Sequence, residues 1–479
     1  MHRMEAVRYE VLTDADVARL HDAALRVLAE VGVRVTTSEA RALLSGVGAA
    51  VDGETVRVPP DVVERALASA PSRFEVFDRG GAPALRLGEG EVYAGAGVTN
   101  LNYLDPRSGE IGDFTLAATG ETARLVDALP HVDFLATPGV TRAAPDLPQH
   151  VVNQCEFVEM VSNTTKPLMV LVAGAVELED VADMASTVAG GPEAFRARPF
   201  VVAYLNSVSP LVFNRETLEK LTIAVDRGMP VCCQAAPQVG GTGPATLAGT
   251  LVVAAAETLL GLTLTQLRAP GAPFISGTVP FLMDMRSGAV TAGGPDGFRA
   301  MAAMAQLCRR WGLPSVGMTL GGDAKLADEQ AALEVAYYGL GTALGGVDLV
   351  FDAGCLEGGL LFSPEVLVIA DEVADMARRA VTPVEVSDET IAFDTIAAVG
   401  PGGQYLGERH TRRHFRELWL PTTLSWEPRA AWDGTTLGQR ARARALEILD
   451  SHEPERLSDA TASRLREIVD ARRAAGPPA

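Results

Sequence analysis

Between residue 91 and about residue 380, short apolar runs alternate eight times with longer amphipathic ones, and this alternation constrains the fold more than any other feature of the chain. The short runs cover 91 to 98, 132 to 137, 167 to 172, 200 to 206, 230 to 235, 273 to 279, 314 to 320 and 348 to 354. Their length and apolar character predict buried strands. Helical spacing follows each of them, over 116 to 128, 148 to 164, 177 to 189, 215 to 227, 244 to 267, 295 to 312, 326 to 344 and 364 to 379. Eight strand-helix units in series predict an α/β fold, a TIM (β/α)8 barrel, with an open doubly wound sheet as the alternative.

The flanks follow other patterns. Thr13 to Asp16 forms a helix cap, and apolar residues then recur at helical spacing until Gly32. A helix over 37 to 45, a hairpin around Asp52-Gly53 and a helix opened by Pro59-Pro60 come next. Residues 1 to 85 thus read as an N-terminal α+β cap on a barrel spanning 86 to 380. Pro401, Gly402 and Gly403 break the periodicity, and 381 to 479 reads as a C-terminal helical extension with helices near 437 to 451 and 458 to 474.

A net charge of −20 argues against a nucleic-acid surface, which needs clustered cations. Five cysteines without CxxC or Cys/His spacing suggest reduced thiols, with Cys232 and Cys233 as core packing. The N-terminus has no apolar signal core, and no uncharged run that is apolar throughout reaches the roughly 18 residues of a membrane helix. A cytoplasmic protein without membrane association is expected.

In a barrel the groups just past each strand converge on one mouth. Here they include Asn206, Gln234, Thr278, Asp323, Lys325, Asp352 and Glu357, a set rich in amides and hydroxyls, with its carboxylates on the last two turns. HxH and HExxH are absent, so no protein-bound metal is expected. Carboxylates with aromatic neighbours such as Tyr103 and Tyr204 suit a cationic substrate. Asp323 and Lys325 read equally well as a loop ion pair. Gly321-Gly322 and Gly358-Gly359 are either tight turns or places where a large cofactor approaches the backbone. Lys325, one of three lysines, could alternatively serve a Schiff-base lyase. A non-catalytic quaternary-amine binding protein is a third possibility.

Six blocks of sequence together resemble the trimethylamine methyltransferase (MttB-like) family. They lie at 20 to 35, 124 to 134, 241 to 277, 321 to 334 (GGDAKLADEQAALE), 353 to 372 (AGCLEGGLLFSPEVLVIADE) and 400 to 411 (GPGGQYLGERHT). The resemblance implies a TIM barrel and methyl transfer from a methylated amine to Co(I) of a corrinoid (cobalamin) held by a separate protein. The founding enzymes carry pyrrolysine; this chain is written in the twenty standard residues. It therefore resembles the branch acting on quaternary amines such as glycine betaine, with the replaced position expected within 314 to 361. On that reading Asp323, Asp352 and Glu357 supply negative field near the ammonium, while Asn206, Gln234, Thr278 and Tyr103 bind substrate. Lys325 or an arginine would take a carboxylate. Gly402, Gly403 and His410 would lie near the corrinoid or its carrier. A homo-oligomer is expected.

Overall fold

The computed structural model of the chain describes residues 8–142, 144–277, 280–292 and 294–477. Its centre is a closed barrel of eight parallel strands: β1 (Tyr93–Ala96), β2 (Phe134–Ala136), β3 (Leu168–Val170), β4 (Val201–Asn206), β5 (Val231–Gln234), β6 (Phe274–Gly277), β7 (Ser315–Met318) and β8 (Leu349–Ala353). Spatial order follows chain order, and β8 pairs with β1. That closure excludes the open sheet. The outer helices are α1 (Leu116–Ala128), α2 (Val152–Asn163), α3 (Ala175–Ala189), α4 (Arg215–Arg227), α5 (Leu247–Arg268), α6 (Gly294–Trp311), α7 (Glu329–Gly345) and α8 (Pro364–Val381).

Helices α1 and α4 begin and end where the sequence places them because their caps are local. Thr115 accepts from the Ala118 amide, Asn214 accepts from the Thr217 amide, and Gly228 adopts the left-handed conformation after α4. Among the described residues α5 is long and apolar enough to cross a membrane by length and composition, a property that Glu257 hides from a search for uncharged runs. Its position explains the composition. One side packs on β5 and β6, and the other on the helices Asp14–Arg26, Ser38–Ser45 and Pro60–Ser69. A helix covered all round needs no polar face.

The hairpin Phe74–Phe77 and Pro83–Leu87 inserts Val76, Leu85 and Leu87 among barrel-interior residues that include Phe134, Met169 and Ile275. The Gly88 amide donates to the Asp348 carboxylate (2.6 Å) just before β8 begins. The barrel is thereby closed at its N-terminal end, and access is left to the C-terminal mouth.

Two small sheets that periodicity does not predict stand at that mouth. Asn102–Leu104 pairs with Ile111–Asp113 and Leu361–Phe362, and Phe281–Met283 pairs with Gln238–Val239 and Val290–Thr291. Strands of two or three residues joined across more than 250 positions leave no local signal. At the C-terminus Leu437–Ser451 packs on α8 and α1, and Asp459–Ala475 packs on α3.

Candidate active site at the barrel mouth

Strand β8 carries one residue more than its neighbour. Val350 pairs with Ala94 and Ala353 with Ala96, so three steps on β8 match two on β1. The bulge is taken up at Asp352, whose φ of +68° lies in the left-handed region. Its amide donates to the Gly97 carbonyl (2.6 Å). Its carboxyl accepts a hydrogen bond from the Val98 amide and lies in a small cavity with Phe281, Thr319 and Cys355. Burial pushes the Asp352 carboxyl up to about 8 against the single favourable bond from Val98. A carboxyl held in this way is an acid near neutrality that a neighbouring cation would ionise.

Unpartnered neutral polar atoms stand at the same end of the barrel, Thr319 in the same cavity. Among the described residues the buried side-chain atoms without a hydrogen-bond partner include Asn100 Oδ1, Asn206 Oδ1, Gln234 Nε2 and Thr319 Oγ1, all close to the C-terminal ends of barrel strands. Unpaired buried groups are rare in folded proteins, and four at one end of a barrel mark a place built for something else. Asn206 and Gln234 are register partners at the tips of β4 and β5. They share the inward face of Tyr204 and Cys232, two residues earlier on each strand. Tyr204 donates its hydroxyl to Gln234 Oε1 (2.8 Å), which leaves the amide NH2 free, and its ring meets Phe351 edge to face. Asn100 is anchored by its own NH2, which donates to the Pro138 carbonyl (2.8 Å) and to Cys355 Sγ (3.2 Å).

Backbone strain concentrates in the same place. Of the five non-glycine residues with positive φ among those described, Thr99, Leu211 and Glu357 lie in turns after barrel strands and Asp352 lies on the bulge at the end of β8. The loop that follows β4 is held by Glu257 of α5, which accepts from the hydroxyls of Ser207 and Ser209 and from the Leu211 amide.

The other residues singled out in the sequence have different surroundings. Asp323 is half-buried, and its carboxylate accepts from the Ala292 amide (3.0 and 3.1 Å), tying the seventh turn to the sixth. Burial raises its pKa, the Ala292 bond opposing. Lys325 is exposed and donates to the Asp323 carbonyl (2.5 Å), so it makes no side-chain ion pair and does not line the cavity. The Glu357 carboxylate has no partner among the described residues and stands beside the cavity-lining Gly358. Tyr103 is buried between Phe114 and Phe362 with its hydroxyl on Glu121, in the wall of the mouth rather than in the cavity. Thr278 lies outside the described residues. Gly402, Gly403 and His410 belong to a segment tied to α8 through Asp375 and Arg379, beside Arg378, which bonds Val92 and Asp133 at the N-terminal end of the barrel. His410 meets the Glu389 carbonyl of the same segment at 3.2 Å, and no hydrogen bond among the described residues joins it to the mouth. Thr319 and Cys355 were not singled out from the sequence. Thr319 directly follows β7 and Cys355 comes two residues after β8, and this nearness to a strand end is the only signal that could have found them.

A side chain on Gly321 would meet the Asp352 and Cys355 carbonyls at 2.7 and 2.6 Å, so Gly321 serves the close packing of two turns. Gly359, at φ +94°, has open space where a side chain would project. A wider groove lies between Ser38–Ser45 and α4, but its arginines are spent on Glu219, Asp226 and Glu39, and none of the unpartnered buried atoms lines it.

With this geometry in place, comparison with known proteins decides the family. The description "Trimethylamine methyltransferase (MTTB)" matches residues 2–477. The chain belongs to the trimethylamine methyltransferase family. It is 32% identical over 478 residues to the trimethylamine methyltransferase MttB of Desulfitobacterium hafniense, covering 98% of this chain and 95% of that one. It is 31% identical over 469 residues to a glycine betaine methyltransferase of the same species, covering 96% and 97%. The crystal structure of the Methanosarcina barkeri monomethylamine methyltransferase MtmB superposes with a TM-score of 0.55 at 12% identity, over 92% of this chain and 88% of that one, a likeness of fold. The protein is thus a methyltransferase of this family, on a barrel shared with MtmB.

Proposed function

We propose that the chain removes a methyl group from a small quaternary amine of the glycine betaine kind and passes it to a corrinoid carried by a separate protein. The observation that carries this reading is Asp352, a buried carboxyl with one hydrogen bond, set among unpartnered neutral amides and hydroxyls at the open end of the barrel. A permanently charged nitrogen satisfies such a carboxylate without needing a proton of its own. When one of its methyls leaves, the remainder is a neutral tertiary amine, so no general acid is required. That chemistry agrees with a chain built from the twenty standard residues.

The corrinoid would supply reduced cobalt as the methyl acceptor. The residues fit an acceptor that comes from outside, because the eighth turn presents the bare backbone of Gly359 to open space next to the cavity. The chain's own part is to strip water from the cation, neutralise it with Asp352, and fix its orientation through Gln234 Nε2, Asn206 Oδ1 and Thr319 Oγ1. Tyr204 and Phe351 hold Gln234 and the floor in place. Orientation of this kind contributes up to roughly 7 to 11 kcal/mol in favourable cases. Trimethylamine and glycine betaine are the donors named for the two Desulfitobacterium relatives, and glycine betaine, as the quaternary one, suits this site better.

The test is to incubate the purified protein with cob(I)alamin and, separately, glycine betaine, carnitine, choline or trimethylamine, following the demethylated amine by NMR. Formation of dimethylglycine or another tertiary amine is expected. Consumption of trimethylamine with every quaternary amine untouched would overturn the proposal.

A further inference from the structure

Apart from Arg268 at the end of the helix, Glu257 is the only charged residue of α5, and it is 1% exposed. A carboxylate buried in an otherwise apolar helix forfeits its hydration, and burial raises its pKa against the bonds it accepts. All of those bonds come from the loop after β4. The Ser207 and Ser209 hydroxyls share Oε2 (2.8 Å for Ser209), and the Leu211 amide takes Oε1 (2.8 Å). Three donors converging on one side chain need an acceptor with two oxygens and no hydrogen of its own, which is a carboxylate. The far side of the loop is fixed as well. The Leu211 carbonyl accepts from the Arg34 amide (2.9 Å), and Val212–Phe213 pairs in parallel with Val33–Val35 of the N-terminal cap.

Ser207 is where this loop meets the site. It directly follows Asn206, and its amide donates to the Gln234 carbonyl (3.1 Å), so one residue bonds Glu257 through its side chain and Gln234 through its backbone. Asn206 and Gln234 are the register partners whose Oδ1 and Nε2 have no partner. On the other flank of β5, Thr258 donates its hydroxyl to the Gly277 carbonyl (3.3 Å) at the end of β6. Residues 257 and 258 thus hold the tips of three consecutive strands. Ser209 bonds the same carboxylate oxygen as Ser207, but no hydrogen bond among the described residues joins it to Asn206 or Gln234.

We propose that Glu257 is a positioning residue for methyl transfer: acting through Ser207, it sets the spacing of the Asn206 and Gln234 side chains where they receive the methylated amine. The inference rests on the reading that these two amides face the substrate. A carboxylate that served only the packing of loop on helix would depend equally on Ser207 and Ser209. One that spaces the two strand tips depends on Ser207.

The experiment compares Ser207→Ala with Ser209→Ala in the full chain, since each deletes one hydroxyl from the same carboxylate oxygen. Initial rates are taken with cob(I)alamin and whichever of glycine betaine and trimethylamine the wild type consumes, alongside thermal melts and amide exchange. Both variants should melt lower by similar amounts. Ser207→Ala should raise KM about fivefold, the worth of one hydrogen bond, with exchange quickened over 206 to 208 and at 234. Ser209→Ala should keep KM within about twofold and leave those amides as protected as in the wild type. Glu257→Leu should match or exceed Ser207→Ala, and Glu257→Gln should recover part of the loss, because a carboxamide keeps one oxygen for Leu211 and turns its NH2 to the two hydroxyls. Equal KM in the two serine variants, a wild-type KM in Ser207→Ala, or exchange over 206 to 208 and at 234 that is the same in both would each overturn the inference, the last whatever the substrate. Consumption of trimethylamine alone would defeat the quaternary-amine reading, while the serine comparison made on trimethylamine would still decide the role of Glu257.

Discussion

Asp323 stands on the turn after β7 and Asp352 on the bulge at the end of β8, neighbours at one barrel mouth, and burial raises the pKa of both, yet they spend their lone pairs differently. Asp323 is half-buried and shares one donor, the Ala292 amide, between its two oxygens, a bond that fixes the sixth turn to the seventh while water reaches the rest of the carboxylate. Asp352 is more deeply buried, keeps only the Val98 bond, and sits on a bulge where it lines a cavity with Thr319, whose hydroxyl has no partner. A carboxylate whose acceptors are used holds structure together. A buried one whose acceptors are left over is available to a ligand.

The sharpest way to break this contrast is Asp352→Asn. Asparagine tolerates a φ of +68° at least as well as aspartate and preserves the shape, so the fold should survive. What is lost is the counter-charge to a desolvated cation, an interaction whose removal costs about 3–5 kcal/mol in buried pairs. A fall in kcat/KM for the quaternary substrate of roughly two to three orders of magnitude is therefore expected. The same variant should be no less stable than wild type, and more stable at pH 8. The folded carboxyl titrates near 8, far above its ordinary value of 3.8, so between about pH 4 and 8 the folded state keeps a proton that the unfolded chain gives up, and stability falls progressively as pH rises through that window. Thermal melts at pH 6 and pH 8 check this.

Next in size is the pH profile. A quaternary amine does not titrate, so any pH dependence of its binding belongs to the protein. Below about pH 8 the cation has to displace the Asp352 proton, and KM should drop by about tenfold per unit as pH rises, levelling off above 8. Asp352→Asn should flatten the profile, and a wild-type KM independent of pH between 6 and 8 would contradict the assignment. Gln234→Leu removes the free NH2 and the acceptor of the Tyr204 hydroxyl, and should raise KM by about tenfold, the worth of one buried hydrogen bond. Asp323→Ala should do the reverse of Asp352→Asn. It leaves the Ala292 amide without its acceptor at a cost of about 1–2 kcal/mol in stability, read by denaturant unfolding, and should change kcat/KM less than threefold.

The contrast also explains what could be learned from the sequence. The eight strands were legible because strands buried on both faces are written as local apolar runs, and α1 and α4 were legible to the residue because Thr115, Asn214 and Gly228 cap them locally. The position of Asp352 near the end of the eighth strand was legible for the same reason. Its distinction from Asp323 was not, since that depends on an amide 31 residues away at Ala292 and on a bulge that shows only in the pairing of β8 with β1. Tyr103 looked like an aromatic near a carboxylate, which it is; the carboxylate is Glu121 and the rings around it are Phe114 and Phe362. The glycine and histidine content of 400 to 411 said nothing about which end of the barrel the segment lies near, because that follows from where α8 ends.

Lys325 gives the smallest expected effect and the cleanest discrimination between chemistries. It stands two residues from Asp323 on the seventh turn, the place where a Schiff-base enzyme would carry its nucleophile, and it is one of only three lysines. A nucleophilic amine has to be desolvated and aimed at the reacting carbon. This one is exposed and gives a proton to the carbonyl of its own turn, outside the cavity that Asp352 lines. Arginine can make the same bond with the same charge but cannot form an imine. Lys325→Arg should therefore keep kcat and KM within about twofold for a quaternary amine, as surface substitutions usually do. A Lys325→Arg enzyme that has lost activity while still binding its substrate would move the chemistry from the eighth turn to the seventh, and would exchange the roles of the two aspartates with it.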